Sequence, residues 1–299
     1  MRFGIDVPNA GLGGDPRILV ELALEAEAAR WDAFFIWDSL QVASQDARVR
    51  PTVDPWITLA AIAQATRRIK LGTMVTPPAR RRPWKLAREA VSLDWLSGGR
   101  LVLPVGLGEP NDGGFRATGE PTDRRTRAER LDESLQILEL LWSGRPVHFS
   151  GKHYTVDGLW FEPAALQSPR IPVWVVAGWP RERSMRRAAR LDGVIAFKMG
   201  PAGSLADSGR AFAGGLAPDD VHDLCAWVER HRQGGTPFDV VLSGGTGRNE
   251  KRRAERVRPY AEAGATWWIE SAAWLAMWSA PGDVAAVRER IRLGPPALL

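Results

Sequence analysis

Residues 70–109 read KLGTMVTPPARRRPWKLAREAVSLDWLSGGRLVLPVGLGE, and this stretch decides the fold. Lys70 to Val75 is short, apolar and β-prone, so it reads as a strand. Pro83 opens an amphipathic helix that stops at Ser97-Gly98-Gly99, and Leu101 to Val105 is a second apolar strand. Two such strands joined by one helix make a βαβ unit, which implies parallel pairing. Each strand runs into residues that packing alone does not demand. Thr73-Met74-Val75-Thr76-Pro77-Pro78 follows the first, and Gly106-Leu107-Gly108-Glu109 the second. In a barrel, both ends face the rim that carries active sites.

The same rhythm extends in both directions. Arg2–Val7, Ala33–Trp37, Val173–Ala177, Gly193–Phe197, Phe238–Leu242 and Ala265–Glu270 read as further strands. Helix starts are marked at Asp15-Pro16, Asp54-Pro55, Asp123, Pro218 and Pro281, where a capping carboxylate or a proline in the first turn favours initiation. Pro146 to Phe161 breaks the pattern and reads as a hairpin turning at Ser150-Gly151. Eight strands, each followed by a helix, predict an α/β fold: a (β/α)8 TIM barrel with a small hairpin inserted before strand five, one domain over residues 1–299. An open doubly wound sheet would carry GxGxxG after strand one; Pro8-Asn9-Ala10 stands there instead.

Composition narrows the function. The 299 residues carry a formal charge of +5, with the arginine excess scattered along helices rather than set in a nucleic-acid-binding motif. Arg80 to Arg82 reads as a solvated loop near the barrel mouth that steers an anionic cofactor. No apolar run reaches the roughly 18 residues that span a bilayer. MRFGIDVP is already a strand with no signal pattern ahead of it, and the single cysteine, Cys225, reads as a small buried hydrophobe. A reducing cytoplasm is the expected location, with neither nucleic acid nor membrane as partner. Tryptophan is abundant, 14 against 2 tyrosines, so some rings fill the core while Trp37 and Trp179, at strand ends, are placed to wall a pocket for a flat ligand.

The chemistry-bearing positions follow strand ends: Asp38-Ser39, Thr73 to Thr76, Gly106 to Asn111, Gly178-Trp179, Lys198, the glycines from 244 to 247, and Glu270. The histidines at 148, 153, 222 and 231 have no metal-ligand spacing, and no GxSxG or Walker ending occurs, so no metal is expected. Glu109 and Asp38 are the carboxylates best placed for proton transfer or for gripping a cofactor; helix capping and loop structure are the alternative roles. With so few general bases, reactivity is expected to come from an organic cofactor.

Beyond these readings, LGTMV, KLAREAVSLDWLSGGRLVLPVGLGE, RAERLDESLQILELLWSGRPVHFSGKHYTV, PRIPVWVVAGWP and AGATWWIE resemble the bacterial-luciferase-like flavin-dependent oxidoreductases across most of the chain. The resemblance implies a flavin, or the deazaflavin coenzyme F420, held at the C-terminal rim. It implies a non-prolyl cis peptide at Met74-Val75 supporting the ring. Contacts to the ring and phosphoryl arm map to Gly106, Gly108, Glu109 and Asn111. Phosphate binding through backbone N–H groups maps to Gly178, Trp179 and Pro180. Asp38, Thr73 and Ala177 complete the expected cofactor-binding set, and Asp38 and Glu109 the expected catalytic pair. Many relatives have Asp-His after strand two; this chain has Asp38-Ser39, a departure from an imidazole-assisted mechanism.

The expected function is therefore an FMN-dependent monooxygenase acting on a small organic substrate with oxygen, served by a separate flavin reductase and assembled as a homodimer. The loops 41–53 and 107–122 are expected to close over the substrate. Two alternatives stand beside it: F420-dependent hydride transfer, and a flavin-binding protein without catalysis.

Overall fold

The computed structural model describes residues 1–42, 48–110, 112–199, 212–233, 235–247, 249–271 and 284–298. The barrel strands are β1 (Arg2–Val7), β2 (Ala33–Ile36), β3 (Lys70–Thr73), β4 (Leu103–Val105), β7 (Val173–Trp179), β8 (Gly193–Lys198), β9 (Asp239–Gly244) and β10 (Trp267–Ser271). They make the eight-stranded sheet of a (β/α)8 barrel, and a separate two-stranded sheet holds β5 (Val147–Ser150) and β6 (Thr155–Leu159). The helices following the barrel strands in turn are α1 (Pro16–Ala28), α2 (Pro55–Ala65), α3 (Pro83–Ser97), α4 (Arg124–Trp142), α5 (Glu182–Ala189), α6 (Pro218–His231), α7 (Glu250–Glu262) and α8 (Val284–Arg292). No helix among the described residues is long and apolar enough to cross a membrane.

The chain divides into two compact units. One comprises Met1–Pro8, Leu22–Phe35 and Val173–Leu299. Its strands β1, β10, β9, β8 and β7 pair in parallel in that order. β1 is buried at five of its six positions, as expected of parallel strands covered on both faces. Tryptophan fills this core: Trp31, Trp174, Trp267 and Trp268 are fully buried, and the rings of Trp174 and Trp267 meet with centroids 5.2 Å apart. The Trp31 indole N–H donates to the Ile291 carbonyl at 2.9 Å, so its polar edge is satisfied on burial.

The other unit comprises Asn9–Glu21 and Ile36–Pro172. Here β3 and β4 meet through parallel bridges, Leu71 with Leu101 and Thr76 with Val105. The expected caps are in place: Asp54 accepts from the Ile57 amide at 2.9 Å, Asp123 from the Thr126 amide at 2.8 Å. Gly98 ends α3 in the left-handed conformation, φ 67°, which a glycine adopts without steric cost. The hairpin is antiparallel, but its turn falls after Ser150, at residues 151–154, because Ser150 still pairs with Thr155. That turn is held by Glu133 on α4, whose carboxylate accepts the amides of Lys152, His153 and Tyr154 at 2.8 to 3.2 Å.

Several strands end one or two residues from their expected limits, β3 and β7 among them. β3 stops at Thr73 rather than Val75, ahead of a cis peptide between Met74 and Val75. β7 runs on to Trp179, two residues past Ala177, paired with β8 through Trp179 and Lys198.

Candidate active site

Asp38, just past β2, is met by residues following β3 and by Trp56 of α2. Its side chain is only 2% exposed. Arg81 Nη2 donates to Oδ1 at 2.8 Å and to Oδ2 at 2.9 Å. Arg80 Nη2 donates to Oδ1 at 3.0 Å and also bonds the Asp38 carbonyl. The Thr76 hydroxyl donates to Oδ2 at 2.8 Å and the Trp56 indole N–H reaches it at 3.4 Å. Thr73 and Thr76 hydroxyls lie 2.7 Å apart. Thr76 gives its proton to Asp38, so Thr73 donates to Thr76. Asp38 is thus a buried anchor supplied by donors from four neighbours.

This corrects the reading of Arg80 to Arg82 as a solvated run for Arg80 and Arg81, whereas Arg82 is exposed. The Arg80 side chain is 7% exposed and also bonds Asp112 at 2.8 Å, while Arg81 is half-buried and faces Glu89 at 3.6 Å. The partner carboxylates lie far away in sequence, so a run of three arginines looks like surface until the chain is folded. Burial raises the Asp112 carboxyl above its ordinary range, against the opposing pull of Arg80 and of the Gly114 amide. A cavity of about 410 Å³ opens against this cluster, lined by Ser39, Thr52, Asp54, Arg81, Thr118 and Glu120 among others. Ser39 is held by Asn9, which donates to its carbonyl at 2.9 Å and accepts its amide at 3.3 Å.

Beside Asp38, the cis Met74–Val75 peptide is fixed by its flanks. The Met74 amide donates to Ile36 O at 2.8 Å, the Thr76 amide to Pro104 O at 2.9 Å, and the Gly106 amide to Thr76 O at 3.1 Å. Met74 and Val75 stay half-buried while Thr73, Thr76 and Pro77 are buried, so apolar surface is left open at the strand end. Gly106 is buried, Leu107 and Gly108 half-buried, and Glu109 exposed. Gly108 sits at φ 75°, and a Cβ there would lie 2.7 Å from both the Phe115 ring and Pro77. Only glycine fits that position. Arg127, on α4, donates to the carbonyls of Leu107 at 3.0 Å and Gly108 at 2.7 Å. Asn111 lies outside the described residues, as do 43–47 of the loop 41–53.

The other unit holds the remaining expected residues. Ala177 and Gly178 are buried, Trp179 is half-buried, and Pro180 is exposed after a cis Trp179–Pro180 bond. The Gly178 amide donates to Ser184 Oγ at 3.3 Å, and its carbonyl accepts the Arg181 amide at 2.7 Å. A Cβ at Gly178 would collide with the Met199 side chain, so close packing requires this glycine. Glu270 and Lys198 are engaged in structure. Glu270 accepts from Arg290 Nε at 2.9 Å and the Thr246 amide at 2.9 Å, which ties down the glycine run 244–247. Lys198 Nζ pairs with Asp220 at 2.8 Å.

The residues that sequence reasoning missed are Trp56, Thr76 as the hydroxyl bridge, Asp112, Phe115 and Arg127. One signal for Arg127 was present. Helix α4 opens Arg124-Arg125-Thr126-Arg127 with no acidic residue in its first turn, although the positive end of a helix disfavours cations.

The barrel thus carries a non-prolyl cis peptide after β3 and a glycine–glutamate turn after β4. The chain belongs to the luciferase-like monooxygenase family, whose model matches residues 1–245. It is 34% identical over 168 residues to an F420-dependent glucose-6-phosphate dehydrogenase of Gordonia bronchialis, covering 56% of this chain and 48% of that protein. It is 34% identical over 197 residues to the enzyme of the same name from Nakamurella multipartita, covering 65% and 56%. The chain thus spans about half the length of the curated relatives it matches. Among solved structures, an F420-dependent secondary alcohol dehydrogenase in complex with an F420-acetone adduct superposes with a TM-score of 0.74 at 15% identity, over 97% of each chain. At that identity the likeness is one of fold.

Proposed function

We propose that the chain is an F420-dependent oxidoreductase that transfers hydride between the deazaflavin and a small organic alcohol or carbonyl. The observation that carries a ring-binding site is the pair of half-buried apolar side chains, Met74 and Val75, just past β3, in a segment joined to the β4 turn by the Gly106 amide on Thr76 O. The choice of deazaflavin over FMN is supported by the relatives that share 34% identity, which are named for F420. The reading therefore moves from FMN and oxygen to the F420 alternative, and a separate flavin reductase has no place in it.

The residues present suit a flat ring. Met74 and Val75 offer an apolar shelf, and Gly106 and Gly108 allow the backbone of the β4 turn to approach closely. F420, when bound, supplies two-electron hydride chemistry without oxygen. Glu109 is the exposed carboxylate of the turn and is assigned to hold the proton that accompanies hydride transfer, at its Oε atoms. Asp38 and Thr76 fix the shelf. Ser39, on the cavity wall, stands where many relatives carry histidine, so its hydroxyl orients substrate without acting as a general base at neutral pH.

Titrating the protein separately with FMN, FAD and F420 by fluorescence quenching tests the assignment. Submicromolar binding of F420 with weak FMN binding is expected, followed by loss of F420 absorbance when secondary alcohols are supplied. Tight FMN binding without F420 binding overturns the proposal.

A further inference from the structure

We propose that Arg127 is a positioning residue that sets the orientation of Glu109 by clamping the turn after β4. The proposal rests on the reading of Glu109 as the proton-holding group, but its first test does not.

The placement of Arg127 is costly on two counts. It is 6% exposed, and it lies in the first turns of α4, where the helix's positive end opposes a cation. Burial pulls its pKa down from the ordinary value, and the charges of Glu109 and Asp123 pull it back up. What this guanidinium does there is bond two successive carbonyls, Leu107 at 3.0 Å and Gly108 at 2.7 Å.

The second bond bears directly on Glu109. The Gly108 carbonyl and the Glu109 amide share one rigid peptide plane. Holding that carbonyl fixes the plane from which the Glu109 side chain departs. Phe115 completes the clamp. It is fully buried, packs where a Gly108 Cβ would be, and lies 5.4 Å from Arg127 and 5.9 Å from Arg80, measured from each guanidinium carbon to the ring centroid. Arg80 in turn holds Asp38. The two anchors of the site therefore meet on one aromatic ring.

Hydrogen exchange on the whole protein, without cofactor, gives the first test. Arg127→Met is expected to speed exchange about tenfold at the amides of Gly106 and Asp112, which bracket the turn through bonds to the Thr76 and Glu109 carbonyls, while residues 131–142 of α4 are unchanged; Arg127→Lys restores part of the protection. The second test is kinetic. Arg127→Met should lower kcat with F420 by about tenfold while its Kd for F420 changes less than about threefold, and Arg127→Met combined with Glu109→Gln should be no slower than Glu109→Gln alone. Unchanged exchange in the turn, or additive kinetic losses, overturns the proposal. If Arg127→Met does not fold, Arg127→Gln carries the same comparisons. A protein that binds no F420 but shows the loosened turn refutes the cofactor reading and leaves the clamp standing.

Discussion

Arg81 Nη2 meets both carboxylate oxygens of Asp38, at 2.8 and 2.9 Å, across 43 residues of sequence. With Arg80 beside it, the carboxylate is compensated by two cations while almost fully buried. Removing the anion leaves two guanidiniums without it in a low-dielectric setting, which costs more than the pair itself contributes. Asp38→Asn is expected to lose about 3 kcal/mol of stability, read as a lower urea midpoint at unchanged slope. A full loss of turnover at unchanged stability would instead make Asp38 a reacting group.

Arg100 performs a comparable role at the opposite end of α3. Its Nε donates to Ser97 O at 2.6 Å, Nη1 to Thr66 Oγ1 at 2.8 Å and Ile69 O at 2.9 Å, and Nη2 to Ala63 O at 2.7 Å and Thr66 O at 3.2 Å. The C-terminal carbonyls of two helices and a strand approach are satisfied by one side chain. Arg100→Met keeps the stem and removes the donors. A loss of about 2 to 4 kcal/mol is expected, measured by denaturant unfolding. A loss below about 0.5 kcal/mol would show that water replaces these bonds.

What the sequence revealed follows from what is local. Helix starts at Asp54-Pro55 and Asp123, the stop at Gly98 and the eight-fold alternation depend on neighbours within a few residues, and all appear in the structure. The cis bond at Met74–Val75 was reached through resemblance, since no local pattern encodes it. The Asp38 cluster was hidden because Arg80 and Arg81 find their partner some 42 residues away. Gly178 was assigned to a ligand, yet its immediate constraint is the Met199 side chain. FMN and F420 rest on the same barrel features in the sequence, so the cofactor preference rests on relatives matched over 56% and 65% of this chain.

Cys225 lies half-buried on α6, with its Sγ where a Gly264 Cβ would point. Burial, with the charge of Glu229, pushes its thiol up to about 11. At pH 8 the folded protein should therefore react with a thiol reagent about a hundredfold more slowly than a free cysteine, and at the ordinary rate in denaturant. Rapid labelling of the native protein would show that this helix opens readily.

Glu129 gives the hairpin an acid-sensitive tether. Its carboxylate takes Lys152 Nζ at 2.8 Å, His153 Nε2 at 3.0 Å and Arg125 Nε at 3.0 Å. The Lys152 hydrogen bond, then those of His153 and Arg125, hold its pKa down at about 2, against 4.5 for the free group. A depressed carboxylate contributes stability that is fully present above the unfolded value and is lost as pH falls through the folded one. The tether is therefore intact above about pH 4.5 and fades towards pH 2. Glu129→Gln should increase hydrogen exchange at residues 151–155 at pH 7, and its difference from the parent protein should shrink at pH 3. Glu133, which holds the same turn through backbone amides, remains in the variant, so the hairpin should stay formed. An exchange difference that is equal at both pH values would show that the contribution of Glu129 is packing rather than charge.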